Sequence, residues 1–466
     1  MAAHSSIDTF EWPYQPDTAK WFERIRSQGH AVWLDSNHGG TALANQHMDI
    51  ISAGPVDTIR YSAPSDDPPA IDRSDRTPDH PLFEQLEQFA NRYVANSSIQ
   101  NPPSIITPGL IGYLSYETGY PLQYLAIPAP RHATIPLMYF GFYPWLLMND
   151  HAQKRCTVVY LNEYIDAESI KAYLKQTEST HERFELTTPW QPSTEQDDYQ
   201  HAVNTIKDYL EAGDCYQVNY TQCFSAHFQG NPFHAYRHLR QAYPSPYAAY
   251  LELPEAALLS VSPELFLDVN HGQVTTKPIK GTRPRHPDAE GDRANAEALQ
   301  HDPKDRAENI MIVDLMRNDL ARCCQPGTVT VPEYFQVEPY RAVHHLVSTV
   351  TGTLRDDCSP IELLKHTFPG GSITGAPKRR AMEIIHELEP FDRQAYCGTI
   401  GRIGIDGSIQ MNIAIRTAVC HQSTIRVWGG GGIVMDSNPA DEYQESLDKI
   451  GSILECLSSL NENNNE

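Results

Sequence analysis

The order of strand-like and helix-like patterns is the feature of this chain that most constrains its fold. From residue 198 onwards, runs of predicted strands are separated by only a few predicted helices. Strands are predicted over residues 216–224, 247–253, 258–266, 273–276, 398–405, 408–420 and 424–428, and helices over about 198–212, 304–322, 377–388 and from near 439. Because regular β-α-β alternation is mostly missing, we predict an α+β fold and not a doubly wound sheet.

A stretch rich in threonine and proline, residues 176–197, is predicted to be a linker between two regions. Residues 1–175 form the amino-terminal region, with short strands and turns, and residues 198–457 hold nearly all candidate chemistry. The polar residues 458–466 are predicted to be a disordered tail. A chain of 466 residues, 40% of them apolar, is long enough for a large core and two or three domains.

Charge and cysteine content restrict the class of partner and the compartment. The formal net charge of −23 argues against nucleic acid or an anionic membrane as the main partner. The first residues show no targeting pattern, and the longest apolar run, residues 137–148, is too short to span a bilayer. Nine cysteines without a Cys-x-x-Cys spacing predict reduced thiols, so we expect a cytoplasmic protein.

The loop 277–285, with sequence Lys-Pro-Ile-Lys-Gly-Thr-Arg-Pro-Arg, contains a candidate nucleophile, Lys280. An amine attacks only when it is neutral, and both removal from water and crowding by neighbouring cations would destabilise its charged form. Glu264 lies sixteen residues earlier and supplies a carboxylate from the preceding strand. These residues predict covalent chemistry on an anionic substrate. A basic, solvated turn between two strands is the alternative interpretation.

Two acidic pairs at helical spacing form a candidate metal site. Glu442 and Glu445 are three residues apart, and Asp305 and Glu308 repeat that spacing on another predicted helix. Mg²⁺ takes one or two carboxylates together with water and substrate oxygens, so the two helices are able to hold it between them. For Glu442 the alternative is a favourable interaction with the helix dipole, since acidic residues are common in a first helical turn.

Glycine-rich loops and two basic side chains are candidates for binding the substrate. Residues 368–378 lack the ending of a phosphate-binding P-loop, and Gly398, Gly401 and Gly404 miss the spacing of a dinucleotide site. Arg416 lies in an apolar strand pattern, where its charge needs a structural or a ligand carboxylate. For His345 the simplest interpretation is a partly buried strand histidine.

Five ordered motifs together resemble the chorismate-utilising enzyme family. They are residues 278–285, Glu308 with residues 313–320, residues 345–348, residues 375–378 and residues 429–437. The resemblance covers about residues 198–457, and residues 109–113 extend it loosely into the amino-terminal region. The family includes anthranilate synthase component I, isochorismate and salicylate synthases, and aminodeoxychorismate synthase component I. It implies large β-sheets flanked by helices, with the amino-terminal region packed on the catalytic region.

Lys280 discriminates within the family, because anthranilate synthases carry alanine there and aminodeoxychorismate synthases carry lysine. The resemblance implies that Lys280 adds to carbon 2 of chorismate and that Glu264 is the general acid/base. Ammonia then adds at carbon 4 and expels the lysine, giving 4-amino-4-deoxychorismate on the route to 4-aminobenzoate and folate. Alternatives are an anthranilate synthase, or a non-catalytic regulator that binds chorismate or tryptophan.

The resemblance also implies the remaining site residues and the partners. These residues are Gly281, Thr282, His345, Ser372, Tyr396, Arg416, Gly430, Gly431 and Gly432 for chorismate, Glu308, Glu442 and Glu445 for Mg²⁺, and Ser36, Pro246 and Tyr247 for a bound tryptophan. No stretch of the chain resembles a glutamine amidotransferase or a pyridoxal-phosphate lyase. We therefore expect ammonia from a separate glutaminase subunit and release of 4-aminobenzoate by another enzyme.

Overall fold

Two large antiparallel sheets form the framework of the protein. A computed structural model describes residues 6–37, 47–62, 81–93, 106–132, 135–177, 183–341 and 343–462. Within these ranges one sheet has thirteen strands and the other has ten, with helices packed on them, so the predicted α+β class is confirmed. 

The first strands, in chain order, are β1 (Ile7–Trp12), β2 (Val32–Asp35), β3 (Met48–Ser52), β4 (Asp57–Tyr61), β5 (Gly109–Leu114), β6 (Met138–Tyr143), β7 (Trp145–Asp150), β8 (Arg155–Leu161), β9 (Glu185–Leu186), β10 (Gln191–Pro192) and β11 (Gln217–Gln229). The later strands are β12 (Tyr247–Glu252), β13 (Ala256–Ser262), β14 (Leu265–Asn270), β15 (Gln273–Lys277), β16 (Ile279–Pro284), β17 (Thr330–Pro339), β18 (Val343–Thr353), β19 (Gly375–Ala376), β20 (Thr399–Gly404), β21 (Ile409–Asn412), β22 (Thr417–His421) and β23 (Thr424–Ile433).

The α-helices are α1 (Ala19–Ile25), α2 (Pro81–Tyr93), α3 (Gly119–Leu122), α4 (Ala167–Leu174), α5 (Gln196–Glu211), α6 (Pro232–Ala242), α7 (Ala289–His301), α8 (Pro303–Ala321), α9 (Pro360–Thr367), α10 (Lys378–Leu388) and α11 (Pro439–Glu462). Short 3-10 turns lie at Arg26–Gln28, Tyr116–Thr118 and Gly371–Ile373.

The amino-terminal and catalytic regions share both sheets. In the larger sheet β2 pairs with β12, and in the smaller sheet β5 pairs with β20 along their whole lengths. The segment 176–197 also takes part, since β9 and β10 both pair with the carboxyl-terminal half of β11. The regions 1–175 and 198–457 are therefore segments of the sequence. In the structure their strands are hydrogen-bonded to one another within the same two sheets.

Apolar residues fill both sides of the larger sheet. Leu258 of β13 and Ile400 of β20 belong to one buried cluster, which lies between the sheets. Leu259, the next residue of β13, belongs to a second cluster with Phe22 of α1 and Ile450 of α11. Because successive strand residues point to opposite faces, the helices cover the outer face of this sheet. All nine cysteines are free thiols, as predicted.

Several predicted element boundaries are wrong in ways that affect the site. The predicted strand 258–266 is two strands, β13 and β14, with Glu264 in the break between them. The predicted strand 408–420 is likewise β21 and β22, and Arg416 lies in the break with a left-handed φ of 49°. Gly429–Gly432 belong to β23 instead of following it.

The tail prediction for residues 458–466 is also wrong in part. Helix α11 continues to Glu462, because Leu457 and Leu460 pack into the second cluster. Residues 463–466 lie outside the described part of the chain.

Candidate active site

One cavity of about 670 Å³ collects the residues predicted for catalysis, chorismate and metal. It lies where β16 and β18 of the smaller sheet approach β23 of the larger sheet and helices α8 and α11. Its lining includes Glu264, Lys280, Gly281, Thr282, Glu308, His345, Ser372, Tyr396, Arg416, Gly430, Gly431, Gly432, Glu442 and Glu445. Tertiary structure thus brings together side chains from segments that are more than 180 residues apart in the sequence.

Two glycines in the cavity wall occupy positions where a side chain would collide with the fold. Gly281 has a left-handed φ of 78°, and a Cβ there would lie 2.8 Å from Cγ of Asp305. A Cβ on Gly430 would lie 2.1 Å from the carbonyl oxygen of Tyr220 on β11. The backbone is therefore exposed to the cavity at both positions. A site that binds an anion through peptide N–H groups requires such exposed backbone.

Burial favours the neutral form of Lys280. Its half-buried side chain reaches across the cavity, and Nζ donates to the carbonyl oxygen of Ser372 at 3.4 Å. Burial lowers the pKa of Lys280, against the opposing charge of Glu308. The predicted crowding by loop cations contributes less, because Lys277 is paired with Glu338 at 2.7 Å.

The two arginines of this loop have acidic partners of their own. Arg283 lies 2.9 Å from Asp302, and Arg285 lies 2.8 Å from Asp292. Both positive charges are therefore balanced by neighbouring carboxylates. The interpretation of this loop as a solvated basic turn is wrong for Lys280, which faces the cavity.

Glu264 is a buried acid within the same cavity. Its side chain is 4% exposed, and Oε1 accepts a 2.8 Å hydrogen bond from the Ser372 hydroxyl. Burial raises the pKa of Glu264 to about 7, which Ser372 and the charge of Lys280 oppose. A carboxyl group with that pKa is able both to donate and to accept a proton near neutral pH.

The predicted metal ligands face one another from two helices. On α11, Glu442 is 5% exposed and accepts a 2.6 Å hydrogen bond from the Ser437 hydroxyl, while Glu445 forms a 2.7 Å ion pair with Lys449. Glu308 projects from α8 on the other side of the cavity, and burial raises its pKa. Burial likewise raises the pKa of Glu442, so a cation would stabilise both carboxylates.

This donor set fits a hard cation. Glutamate oxygens from α8 and α11 line one cavity, although no cluster of three or more acidic, histidine or cysteine side chains is preformed among the described residues. Mg²⁺ commonly keeps several waters and takes few protein ligands, so it does not require such a cluster. The interaction of Glu442 with the dipole of α11 also remains, since Glu442 lies in the first turn of the helix.

His345 and Arg416 both line the cavity, and the charge of Arg416 acts on the His345 ring. His345 is 2% exposed on β18, and its Nδ1 lies 3.0 Å from Oγ1 of Thr282. Burial lowers the pKa of His345 to about 3, so the ring is neutral. Arg416 makes no ion pair with any residue that the structure describes, and burial lowers its pKa. Its guanidinium is therefore available for a ligand carboxylate.

Sequence reasoning missed several cavity residues. They include Asn219, Lys304, Trp428 and Lys449. Lys449 was detectable, because it follows Glu445 by four residues on a predicted helix. Trp428 stacks parallel to Tyr396 at a ring distance of 6.0 Å, a contact between segments that no local pattern predicts.

The residues predicted for tryptophan line a different and smaller cavity. Ser36, Pro246 and Tyr247 lie around a space of about 40 Å³ between β2, β12 and β20. Asp35, Met48 and Asn412 also face this space. Binding of tryptophan at this position stays a prediction.

In the described part of the chain, no helix has the length and apolar character needed to cross a membrane.

Comparison with known proteins gives a consistent result. The model of the chorismate binding enzyme family matches residues 29–455. Aminodeoxychorismate synthase component 1 of Salmonella typhimurium is 40% identical over 447 residues, covering 96% of this chain and 97% of the relative. The protein of the same name from Klebsiella aerogenes is 41% identical over 452 residues, covering 96% and 98%.

A solved structure also aligns over most of the chain. The crystal structure of anthranilate synthase component I from Streptococcus pneumoniae superimposes with a TM-score of 0.72 and 29% identity. The alignment covers 88% of this chain and 92% of that chain. The two chains therefore share the fold over most of their lengths.

Proposed function

This chain belongs to the chorismate binding enzyme family, and we propose that it aminates chorismate at carbon 4 as component 1 of an aminodeoxychorismate synthase. Its relatives of that name align over nearly their whole length. The observation that carries the proposal is a buried amine, Lys280, in a cavity with a buried acid, Glu264. An enzyme in which ammonia attacks the ring directly has no use for this nucleophile.

In the first step the neutral amine of Lys280 attacks carbon 2 of the ring. The ring double bond shifts, the carbon–oxygen bond at carbon 4 breaks, and Glu264 protonates the departing hydroxyl to give water. The secondary ammonium formed on Lys280 then gives its extra proton to the Glu264 carboxylate, which leaves the lysine nitrogen neutral and Glu264 protonated again. With a pKa of about 7, Glu264 is substantially protonated near neutral pH and is suited to this transfer.

In the second step ammonia forms a bond to carbon 4. The double bond shifts back, and the bond between carbon 2 and the Lys280 nitrogen breaks. One proton passes from the incoming ammonium to the departing lysine nitrogen, directly or through Glu264. The free enzyme and 4-amino-4-deoxychorismate result, so both displacements use the same two side chains.

The substrate carboxylates need positively charged or hydrogen-bond-donating partners in a cavity that both acidic and basic side chains line. Arg416 supplies a fixed guanidinium on one side, and peptide groups of Gly430–Gly432 line another. Mg²⁺ bound by Glu308, Glu442 and Glu445 would neutralise the carboxylate next to the reacting carbons. These residues orient the ring so that carbon 2 faces Lys280.

Ammonia is expected from a separate glutaminase, since the relatives are named as one component of their enzyme. The direct test is to incubate the purified chain with chorismate, Mg²⁺ and ammonium and to identify the product. We expect 4-amino-4-deoxychorismate. Anthranilate would instead indicate attack at carbon 2 by ammonia, and unchanged chorismate would indicate a non-catalytic binding protein.

A further inference from the structure

A cavity much smaller than the catalytic one lies where β5 of the amino-terminal region meets β20 of the catalytic region. Its volume is about 10 Å³, which is room for one species of the size of a water molecule. Ser115 and Glu117, which follow β5, line it together with Asp392 and Gln394, which precede β20. The rest of its lining is apolar and consists of Pro128, Pro130, Ile135 and Leu137.

Three oxygen atoms of this lining are free to bind a ligand. Oγ of Ser115, Oε2 of Glu117 and Oε1 of Gln394 are buried without a hydrogen-bond partner among the residues that the structure describes. All three residues are buried, with at most 6% of their surface exposed. A buried polar atom without a partner is costly, so such atoms commonly serve a ligand or an ordered water.

The negative charge at this cavity has no cationic partner in the described part of the chain. Oε1 of Glu117 accepts the backbone N–H groups of Arg393 at 2.8 Å and Gln394 at 3.1 Å, and Asp392 accepts the backbone N–H of Arg131 at 2.8 Å. These donors are uncharged peptide groups. The Arg393 guanidinium forms its ion pair with a different carboxylate, that of Glu389.

The surroundings of Glu117 oppose its ionisation. Burial, assisted by the charge of Asp392, raises the pKa of Glu117 to about 7. The phenols of Tyr113, Tyr116 and Tyr120 also lie near it, and burial raises their pKa values, so they are neutral. A cation in the cavity would stabilise the ionised form of Glu117.

The size and the chemistry of the cavity restrict the class of ligand. Mg²⁺ usually keeps several waters, and a volume of about 10 Å³ has no space for them. A water molecule has only two hydrogens for three acceptor oxygens, and it does not neutralise a carboxylate. A small monovalent cation satisfies the three oxygens and also supplies the missing charge.

We propose that Ser115, Glu117 and Gln394 bind one dehydrated monovalent cation, of the size of K⁺ or NH₄⁺, between β5 and β20. The Glu117 carboxylate supplies the negative charge. The hydroxyl and carboxamide oxygens of the other two side chains complete the set of ligands. Because these residues come from the amino-terminal and catalytic regions, the cation joins the two.

This site is connected to the catalytic cavity through hydrogen bonds. Glu117 holds the backbone of Arg393, and the Arg393 guanidinium donates to the carbonyl oxygen of Ile373 at 2.9 Å. Ile373 follows Ser372, which contacts both Glu264 and Lys280. Cation binding should therefore stabilise the turn beside the catalytic pair. Its effect on the fold is measurable without any assumption about the reaction.

The test is thermal unfolding of the full chain, without chorismate or Mg²⁺, in the chlorides of K⁺, NH₄⁺ and N-methylglucamine at equal ionic strength. The last of these cations is too large for the cavity. We expect K⁺ or NH₄⁺ to raise the Tm by about 1–3 °C at pH 8. The shift should be smaller at pH 6, because protonation of Glu117 removes the charge that binds the cation. Equal Tm values in all three chlorides at pH 8 would overturn the proposal.

Two variants test the ligands themselves. Glu117→Gln keeps an oxygen for the same two backbone N–H groups but loses the charge, so the shift in Tm should disappear. Ser115→Ala should raise the cation concentration for half of the maximal shift about three- to tenfold. Asp268→Asn is the matched control, because burial also raises the pKa of Asp268, whose carboxylate already has a side-chain partner. A full shift in Glu117→Gln, or an unchanged half-saturation in Ser115→Ala, would contradict the assignment.

Discussion

The Ser372 hydroxyl donates a 2.8 Å hydrogen bond to Oε1 of Glu264. This bond stabilises the ionised form of a carboxyl group whose pKa burial raises to about 7. Ser372 also presents its backbone carbonyl to Nζ of Lys280 at 3.4 Å. Ser372 thus contacts both side chains that the proposed reaction uses. Removal of its hydroxyl group should change the pKa of Glu264 without disrupting the fold.

We predict that Ser372→Ala shifts the alkaline limb of adduct formation to higher pH. The loss of the hydrogen bond raises the pKa of Glu264 further, so the proton donor stays protonated to a higher pH. The measurement is the rate of covalent adduct formation against pH without ammonia, by intact mass. Ser437→Ala is the control, since it removes the equivalent bond to Glu442 and should leave this limb in place. An unshifted limb in Ser372→Ala would show that Glu264 is not the proton donor.

Glu264 should make the fold less stable as pH rises. Its folded-state pKa of about 7 is above its ordinary value of 4.5, so the stability of the fold decreases as pH rises through that interval. The free energy of unfolding of Glu264→Gln should therefore exceed that of the wild type by up to about 3 kcal/mol at pH 8, and by little at pH 4.5. Thermal unfolding of both proteins at the two pH values measures this. If Glu264→Gln is less stable than the wild type at pH 8, burial of the ionised Glu264 carboxylate does not destabilise the fold as predicted.

Lys280 should become covalently modified when chorismate is supplied without ammonia. The second displacement then lacks its nucleophile, so the adduct accumulates until slow hydrolysis releases it. Intact-mass measurement and peptide mapping should locate the adduct at Lys280, and Lys280→Ala should form none and shift residual amination toward carbon 2. Lys277→Ala is the matched control, because Lys277 pairs with Glu338 outside the cavity. Normal product formation by Lys280→Ala would exclude covalent catalysis.

Glu308→Gln and Glu445→Gln should each abolish turnover while the fold stays intact. Each change removes one negative charge from the proposed Mg²⁺ site without a large change in volume. Titration calorimetry with MgCl₂ in the presence of chorismate should show weakened Mg²⁺ binding, independently of activity. Asp314→Asn, an exposed residue of α8 paired with Arg317, is the control. If either glutamine variant binds Mg²⁺ normally, that residue is not a ligand.

The isolated chain should use ammonium salts and ignore glutamine. Free NH₃ is the nucleophile, so activity at fixed total ammonium should rise with pH until Glu264 loses its proton. Product formation is compared at equal ammonium and glutamine concentrations, with protein purified free of glutaminase. Turnover with glutamine alone would mean that this chain hydrolyses glutamine itself.

Local patterns in the sequence predicted the strand-rich architecture and much of the chemistry. Helix α8 and the start of α11 lie close to their predicted positions, and the loop around Lys280 follows from its composition. Local patterns failed where the chain leaves one strand and enters the next without a turn signal. Glu264 and Arg416 each lie in a break between two strands. The apolar pattern of the sequence continues across each break, so the pattern predicts one long strand instead of two.

The sequence by itself determined which residue types are available: a lysine, a glutamate sixteen residues before it, glutamates at helical spacing and glycine-rich segments. Tertiary structure alone decided which of them meet, because the cavity is assembled from both sheets and two helices. It also decided that the pKa of Lys280 is lowered chiefly by burial, whereas Lys277 forms an ion pair with Glu338. Burial and long-range partners set a side chain's protonation, and neither quantity is encoded in the residues adjacent to it along the chain.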